Sequence, residues 1–183
     1  MSKFARYERA RPKMSDSSKP EALVRRAEIR DCKALAEIKT EREGSGDIGA
    51  QRDWFESLLS RPSELVLVGE VSREVVAYGR VVHHQGSVGC PAGWYLVGLV
   101  VSPPHRRRGI GRFLTEERLE WIAGRAPEAF YFANERNAPT IDLHGTLGFV
   151  EMTRDFTFPG VQFEGGGGIL FHVDLRTGPG GGA

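Results

Sequence analysis

The chain has 183 residues, 40% apolar and 27% charged, which suits one globular domain with a substantial core and argues against a disordered or fibrous protein. Its 25 basic and 24 acidic side chains leave a formal net charge of +1. No global field therefore draws it to nucleic acid or an anionic membrane, and any anion site has to be local.

Residues 1–20 are polar, of mixed charge and interrupted by Pro12 and Pro20, and read as a flexible tail. The folded domain is expected over 21–176, with a second, glycine-rich tail at 177–183. Within the domain, Ala22 to Ile29 reads as a strand. Asp31 offers an N-cap to a helix carrying Leu35, Ala36 and Ile38. After the loop Gly44-Ser45-Gly46-Asp47, the spacing of Trp54, Phe55, Leu58 and Leu59 predicts a short helix that stops near Pro62. Leu65 to Val71 and Glu74 to His84 read as a hairpin about Ser72-Arg73. Trp94 to Ser102 is an almost unbroken apolar run, as in a strand buried on both faces. Pro103-Pro104 ends it. Ile110, Phe113, Leu114, Trp121 and Ile122 then fall at helical intervals up to Gly124. Ala129 to Ala133 is another buried strand, and Asn137 and Pro139 open a helix expected to reach Gly148. Phe149 begins a strand, and Ile169 to Leu175 is the last, after the glycine run 165–168, which reads as a flexible surface turn. Strands followed by alternating strand and helix make a mixed α/β sheet.

Cys32 and Cys90 lie far apart and suit reduced thiols in a cytoplasmic protein better than a disulfide or a metal site. No stretch has the length of a signal peptide or of a membrane span, so no membrane partner is expected.

The strongest chemical signal is Arg106-Arg107-Arg108-Gly109-Ile110-Gly111, placed between a buried strand and a helix. A helix N-terminus presents unpaired N–H groups and the positive end of the macrodipole. Glycines there let a phosphate reach the backbone. Arginines add bidentate donors. The triplet reads poorly as a nucleic-acid patch, because no other basic cluster or interleaved aromatics accompany it.

The run Leu99-Val100-Val101-Ser102-Pro103-Pro104-His105-Arg106-Arg107-Arg108-Gly109-Ile110-Gly111 resembles motif A of the GNAT N-acetyltransferases, L-x-V-x-P-x-x-Q/R-x-x-G-x-G/A. Downstream, Asn137, Leu143 and Gly148-Phe149 match the family's motif B, N-x-x-A-x-x-L-Y-x-x-x-G-F. The resemblance implies the GNAT fold: a mostly antiparallel mixed sheet with helices around it and two central parallel strands that splay around acetyl-CoA. It implies that the backbone of Leu99, Val100 and Val101 pairs with the pantetheine arm. Arg106, Arg107, Arg108, Gly109, Ile110, Gly111 and the N–H of Arg112 would hold the pyrophosphate, and Asn137 would contact the arm. Transfer to the amine would be direct, without an acyl-enzyme, with a backbone N–H meeting the oxyanion. Dimers are common in the family, and a homodimer is left open.

Two departures stand out. The family's tyrosine, proposed to protonate the departing thiolate, is His144 here, which could serve as an acid if protonated. The motif-A strand also lacks a glutamate to act as base. Candidates elsewhere are Glu41, Glu43 and Asp47, or one of His83 and His84, since adjacent strand residues face opposite sides; a water chain is equally open. Glu43, His84 and His144 make up the catalytic expectation. Trp54, Phe55 and Tyr95 read as core before pocket lining. The acceptor expected is a primary amine on a small, cationic molecule of aminoglycoside or polyamine type, matched to the acidic loop Glu41 to Asp47. The alternatives are a protein or peptide amine, or a non-catalytic acyl-CoA-binding module.

Overall fold

The computed structural model describes residues 22–176, so the tails expected at both ends lie outside the described residues. In chain order these residues form β1 (Leu23–Arg26), α1 (Cys32–Glu43), α2 (Ile48–Leu59), β2 (Glu64–Val71), β3 (Glu74–His84) and β4 (Gly93–Val101). They continue with α3 (Ile110–Ala123), β5 (Glu128–Asn134), α4 (Ala138–Gly145), β6 (Val150–Thr153) and β7 (Gly168–Asp174). The seven strands make one sheet in the order β1-β2-β3-β4-β5-β7-β6. Every pairing is antiparallel except β4 with β5.

Local chemistry sets most boundaries. The first strand is shorter than expected, because a 3₁₀ turn occupies Ile29–Asp31. Asp31 precedes α1 but does not cap it. Its carboxylate is held instead by Arg25, at 2.7 and 2.9 Å, and by the Glu28 N–H, at 2.8 Å. Gly44, at φ +69°, stops α1 in the left-handed conformation that glycine adopts freely. Asp47 caps α2 by accepting from the N–H groups of Gly49 (2.7 Å) and Ala50 (3.3 Å). The β2–β3 hairpin turns through Ser72 and Arg73, both at positive φ (51° and 69°), as a two-residue turn of the I′ kind requires. The α4 helix ends at Gly145, short of the expected Gly148.

Side-chain alternation gives the sheet two covered faces. One, beneath α3, gathers Leu65, Leu67, Val81, Leu96, Leu114, Ile122, Tyr131 and Phe171. The other, beneath α1 and α2, gathers Leu35, Phe55, Leu58, Val66, Val68, Tyr78 and Val100. Leu35 and Phe55 are wholly buried, and each such side chain contributes about 2 kcal/mol by leaving water. A third cluster joins Tyr95, Phe130 and Leu170 to Phe156 and Phe158 from the β6–β7 connection. The glycine run at the end of that connection is a surface turn, as expected, with Gly165 and Gly167 exposed, and it is tied down at its end. The Glu135 N–H donates to Gly167 O at 2.9 Å, and a Cβ on Gly168 would lie 2.3 Å from the Phe163 ring. Cys32 and Cys90 are buried free thiols.

Candidate active site

The two central strands meet and then part. Parallel pairing joins Tyr95 to Phe130 and Leu96 to Tyr131, and goes no further. Just beyond, β4 is bulged against β3. Tyr78 faces Val100 and Arg80 faces Val97, so Gly79 is opposed by two residues, Gly98 and Leu99. A bulge bends its strand, and Gly98 takes the bend at φ +59°. The expectation of a strand buried on both faces therefore fails at Val97, Gly98 and Leu99. These are half-exposed because β5 has turned away from them.

The arginine-glycine turn follows directly. A second 3₁₀ turn covers Pro103–His105, Arg107 sits at φ +64°, and Gly109 precedes α3 at φ +79°. The first N–H to bond back along α3 is that of Phe113, which donates to Gly109 O at 3.0 Å. The N–H groups of Ile110, Gly111 and Arg112 thus have no partner within their helix. Arg106, Arg107 and Arg108 are exposed, and Arg106 Nε donates to Val101 O at 3.0 Å. A Cβ on Gly111 would stand 3.7 Å from Val101, 3.8 Å from Leu99 and 3.9 Å from Leu143. Gly111 thus marks where α3, β4 and α4 converge. The turn expected to bind pyrophosphate and the strand expected to bind pantetheine are contiguous in space. The Arg112 side chain is committed elsewhere, to Glu116 at 2.8 Å and to Thr146 of the residues following α4 at 3.1 Å.

Asn137 is half-buried at the N-terminus of α4 and makes no side-chain cap there. His144, at the other end, is 3% exposed. Its Nδ1 lies 2.8 Å from Thr140 O, a carbonyl that can only accept, so Nδ1 carries the proton and Nε2 a lone pair. Burial foremost, then the charge of Arg118, lowers its pKa to about 3. A pKa lowered this far leaves the imidazole neutral at neutral pH, without the second proton that an acid role would use. Tyr131 stacks on it, and burial pushes that phenol well above its ordinary pKa.

On the opposite face of the bulge stand side chains that reading the sequence missed. A Cβ on Gly98 would meet Arg80 at 3.7 Å and Tyr78 at 3.8 Å. Arg80 is paired with buried Glu64 at 2.6 Å and lies over the Trp54 ring at 4.8 Å. Tyr78 is pushed up to about 12, chiefly by burial, with Arg42, Arg80 and Glu43 acting on it electrostatically. Their signal was faint: a lone arginine and tyrosine inside the apolar run of β3. Glu43 stands on this side of the sheet through its pair with Lys39 at 2.6 Å. Lys39 in turn lies over Trp54 at 5.3 Å.

The other base candidates are not brought to the splay. Asp47 is occupied as a cap, and Glu41 is exposed on α1. His83 and His84 do face opposite sides: His83 meets Trp94 edge-on, and His84 packs between Tyr95 and Phe158. But His84 pairs with Gly93, four residues from Arg80 and so roughly 13 Å along the strand from the bulge. Its Nε2 lies 3.0 Å from Ser87 Oγ.

Among the described residues no group of three or more His, Cys, Asp or Glu side chains could hold a metal ion, and no helix is long and apolar enough to cross a membrane. Residues 26–149 match the acetyltransferase (GNAT) family. Over 59 residues, 31% of this chain, the sequence is 41% identical to a probable N-acetyltransferase HLS1-like protein of Arabidopsis thaliana, a stretch spanning 14% of that protein. Among solved structures, the ribosomal-protein-alanine N-acetyltransferase from Brucella melitensis is 25% identical at TM-score 0.67, over 84% of this chain and 99% of that one. The phosphinothricin acetyltransferase of Sinorhizobium meliloti, solved with acetyl-CoA, shares the fold at TM-score 0.67 and 18% identity, over 86% of this chain and 90% of that one. A bulged β4 parting from β5 beside a glycine-opened helix N-terminus, joined to that match across both motifs, leads to one conclusion: the chain belongs to the GNAT family of acetyl-CoA-dependent N-acetyltransferases.

Proposed function

We propose that this chain moves the acetyl group of acetyl-CoA directly onto a primary amine of a small molecule. The observation that carries the reading is the contiguity of Gly111 with Leu99 and Val101. It lays the anion-binding turn against the half-exposed stretch of β4, as one extended thioester ligand would need. The N–H groups of Ile110, Gly111 and Arg112, with Arg106, Arg107 and Arg108, hold the pyrophosphate. The backbone of Leu99, Val100 and Val101 pairs with the pantetheine arm, and Asn137 contacts it. Acetyl-CoA supplies an activated acyl group on a good leaving group. The amine attacks the thioester carbonyl from the face of Tyr78, Arg80 and Trp54 and loses its proton to Glu43 directly or through water. The C–S bond breaks and CoA leaves as the thiolate, to be protonated by solvent. His144 acts there as a neutral wall of the cleft.

A second reading is favoured by one comparison: the Brucella melitensis relative is by name an enzyme of a ribosomal protein's alanine, so a peptide amine is the rival acceptor. The test is release of free CoA thiol from acetyl-CoA against aminoglycosides, polyamines, amino acids and short peptides. Turnover confined to small amines supports the proposal. Turnover confined to peptides replaces the acceptor. Acetyl-CoA binding without thiol release across the panel would refute turnover on these acceptors.

A further inference from the structure

Leu114, Arg118 and Ile122 follow at intervals of four along α3, the spacing of a core stripe, and the arginine is as buried as its neighbours, at 1% exposure. No carboxylate among the described residues pairs with it; burial lowers its pKa to about 9, so it remains charged at neutral pH. Each guanidinium nitrogen has an acceptor. Nε donates to Leu114 O at 3.2 Å and Nη2 to Thr115 Oγ1 at 2.9 Å. Nη1 donates to Arg80 O at 3.2 Å and reaches Val97 O at 3.5 Å. Gly79 makes the room, since a Cβ there would come within 2.9 Å of Nε. A methionine would fill this space without desolvating a charge, so packing alone does not account for the guanidinium.

Its partners do. Arg80 and Val97 are the residue pair flanking the bulge on the two strands. Thr115, whose hydroxyl accepts from Arg118, donates in turn to Gly111 O at 2.8 Å. A continuous hydrogen-bonded chain thus runs from the glycine of the anion-binding turn, through Thr115 and Arg118, to both strands beside the bulge.

We propose that Arg118 is a positioning residue: with Thr115 it clamps the β4 bulge to the N-terminal turn of α3, fixing the offset between the pyrophosphate end and the thioester end of bound acetyl-CoA. A bulged strand can slip its register, and a one-residue slip would turn Leu99 and Val100 to the wrong faces. The clamp opposes that slip. The inference rests on the reading of the splay as the acetyl-CoA cleft.

The test compares wild type, Arg118→Met and Thr115→Val by calorimetric titration with acetyl-CoA and, separately, with 3′-phosphoadenosine 5′-diphosphate. That fragment carries the pyrophosphate but no pantetheine arm. Hydrogen exchange at the Gly98 and Leu99 amides is followed in parallel. Arg118→Met should bind acetyl-CoA about tenfold more weakly, keep fragment affinity within about twofold, and exchange faster at those amides. Thr115→Val, which removes one link and no charge, should shift the same readouts in the same direction by less. Should Arg118→Met not fold, Thr115→Val decides alone. Wild-type acetyl-CoA affinity and exchange in the folded variants would overturn the clamp. Gly111→Asp separates the two claims: if it also leaves acetyl-CoA binding intact, the cleft itself is misplaced, and if it abolishes binding, the clamp alone has failed.

Discussion

His144 lies face to face with Tyr131, ring centroids 3.9 Å apart and planes 16° apart. With Nδ1 committed to Thr140 and its pKa lowered to about 3 by burial and by Arg118, the ring is a neutral part of the core. A native pKa below the ordinary histidine value means that, between the two, the unfolded chain takes up a proton the native one refuses. Stability from this source is full above about pH 6.5 and falls as pH drops toward the native value, by up to about 1.4 kcal/mol per pH unit. Denaturant unfolding at successive pH values should therefore show wild type losing stability on acidification more steeply than His144→Phe. Parallel slopes would mean that His144 is protonated in the fold.

The same neutrality bears on turnover. A lone pair at Nε2 has no proton to give a departing thiolate, so His144→Phe should lower kcat at neutral pH by less than about threefold. A loss of a hundredfold or more would return His144 to the role of acid.

Glu43 and His84 were equivalent candidates until the register separated them. Glu43 pairs with Lys39, which lies over the same Trp54 ring as Arg80 beside the bulge, whereas His84 is paired with Gly93 at the far end of β3. Glu43→Gln should reduce kcat/KM for a reactive amine by about a hundredfold, the lower end of the range for a general base, as suits relay through water. His84→Gln should leave it unchanged. The reverse pattern would move the acceptor toward Phe158.

What the sequence disclosed was the local chemistry. The turn Arg106 to Gly111, the hairpin at Ser72-Arg73 and the stop at Gly44 each depend on a few consecutive residues, and each stands where the pattern put it. What it hid depends on pairing between distant strands. Gly98 is an unremarked glycine until Arg80 is found opposite Val97. Tyr78 and Arg80 join the site by lying beside it across a ladder. The burial of His144 comes from β5, through Tyr131. Arg118 was visible as a helical position in phase with Leu114 and Ile122, but its charge disguised it as surface. Asp31 and Asp47 show the same limit at short range, since both precede helices and only Asp47 caps one.

The hairpin turn carries strain that substitution can remove. Ser72 and Arg73 hold φ values of 51° and 69°, a conformation that costs an ordinary L-residue about 1 kcal/mol and that Asn and Gly adopt readily. Replacing the pair by Ser72→Asn with Arg73→Gly should stabilise the fold by about 1 kcal/mol and raise the thermal midpoint by a few degrees. Acetyl-CoA affinity should not change, because the turn lies at the end of β2 and β3 remote in register from Gly79. A lowered midpoint would show that the turn's shape is imposed by its surroundings rather than by its two residues.

Gly111 offers the sharpest test of where the cofactor sits. Its φ is not in the left-handed region, and a Cβ would make ordinary contacts of 3.7 to 3.9 Å, so Gly111→Asp should fold with a thermal midpoint close to that of wild type. The carboxylate it introduces would stand in the first turn of α3 where it faces Leu99 and Val101, beside the path proposed for the pyrophosphate. Two like charges about 4 Å apart near a protein surface repel by about 4 kcal/mol, so acetyl-CoA affinity should fall by at least a hundredfold in calorimetry. Gly111→Ala is the control, with a methyl and no charge, and should bind within about threefold of wild type. If both variants bound equally well, the phosphates would lie elsewhere than on α3. If both lost binding equally, bulk rather than charge would be excluded at that turn, and the pyrophosphate would approach closer to Gly111 than the N–H cradle requires.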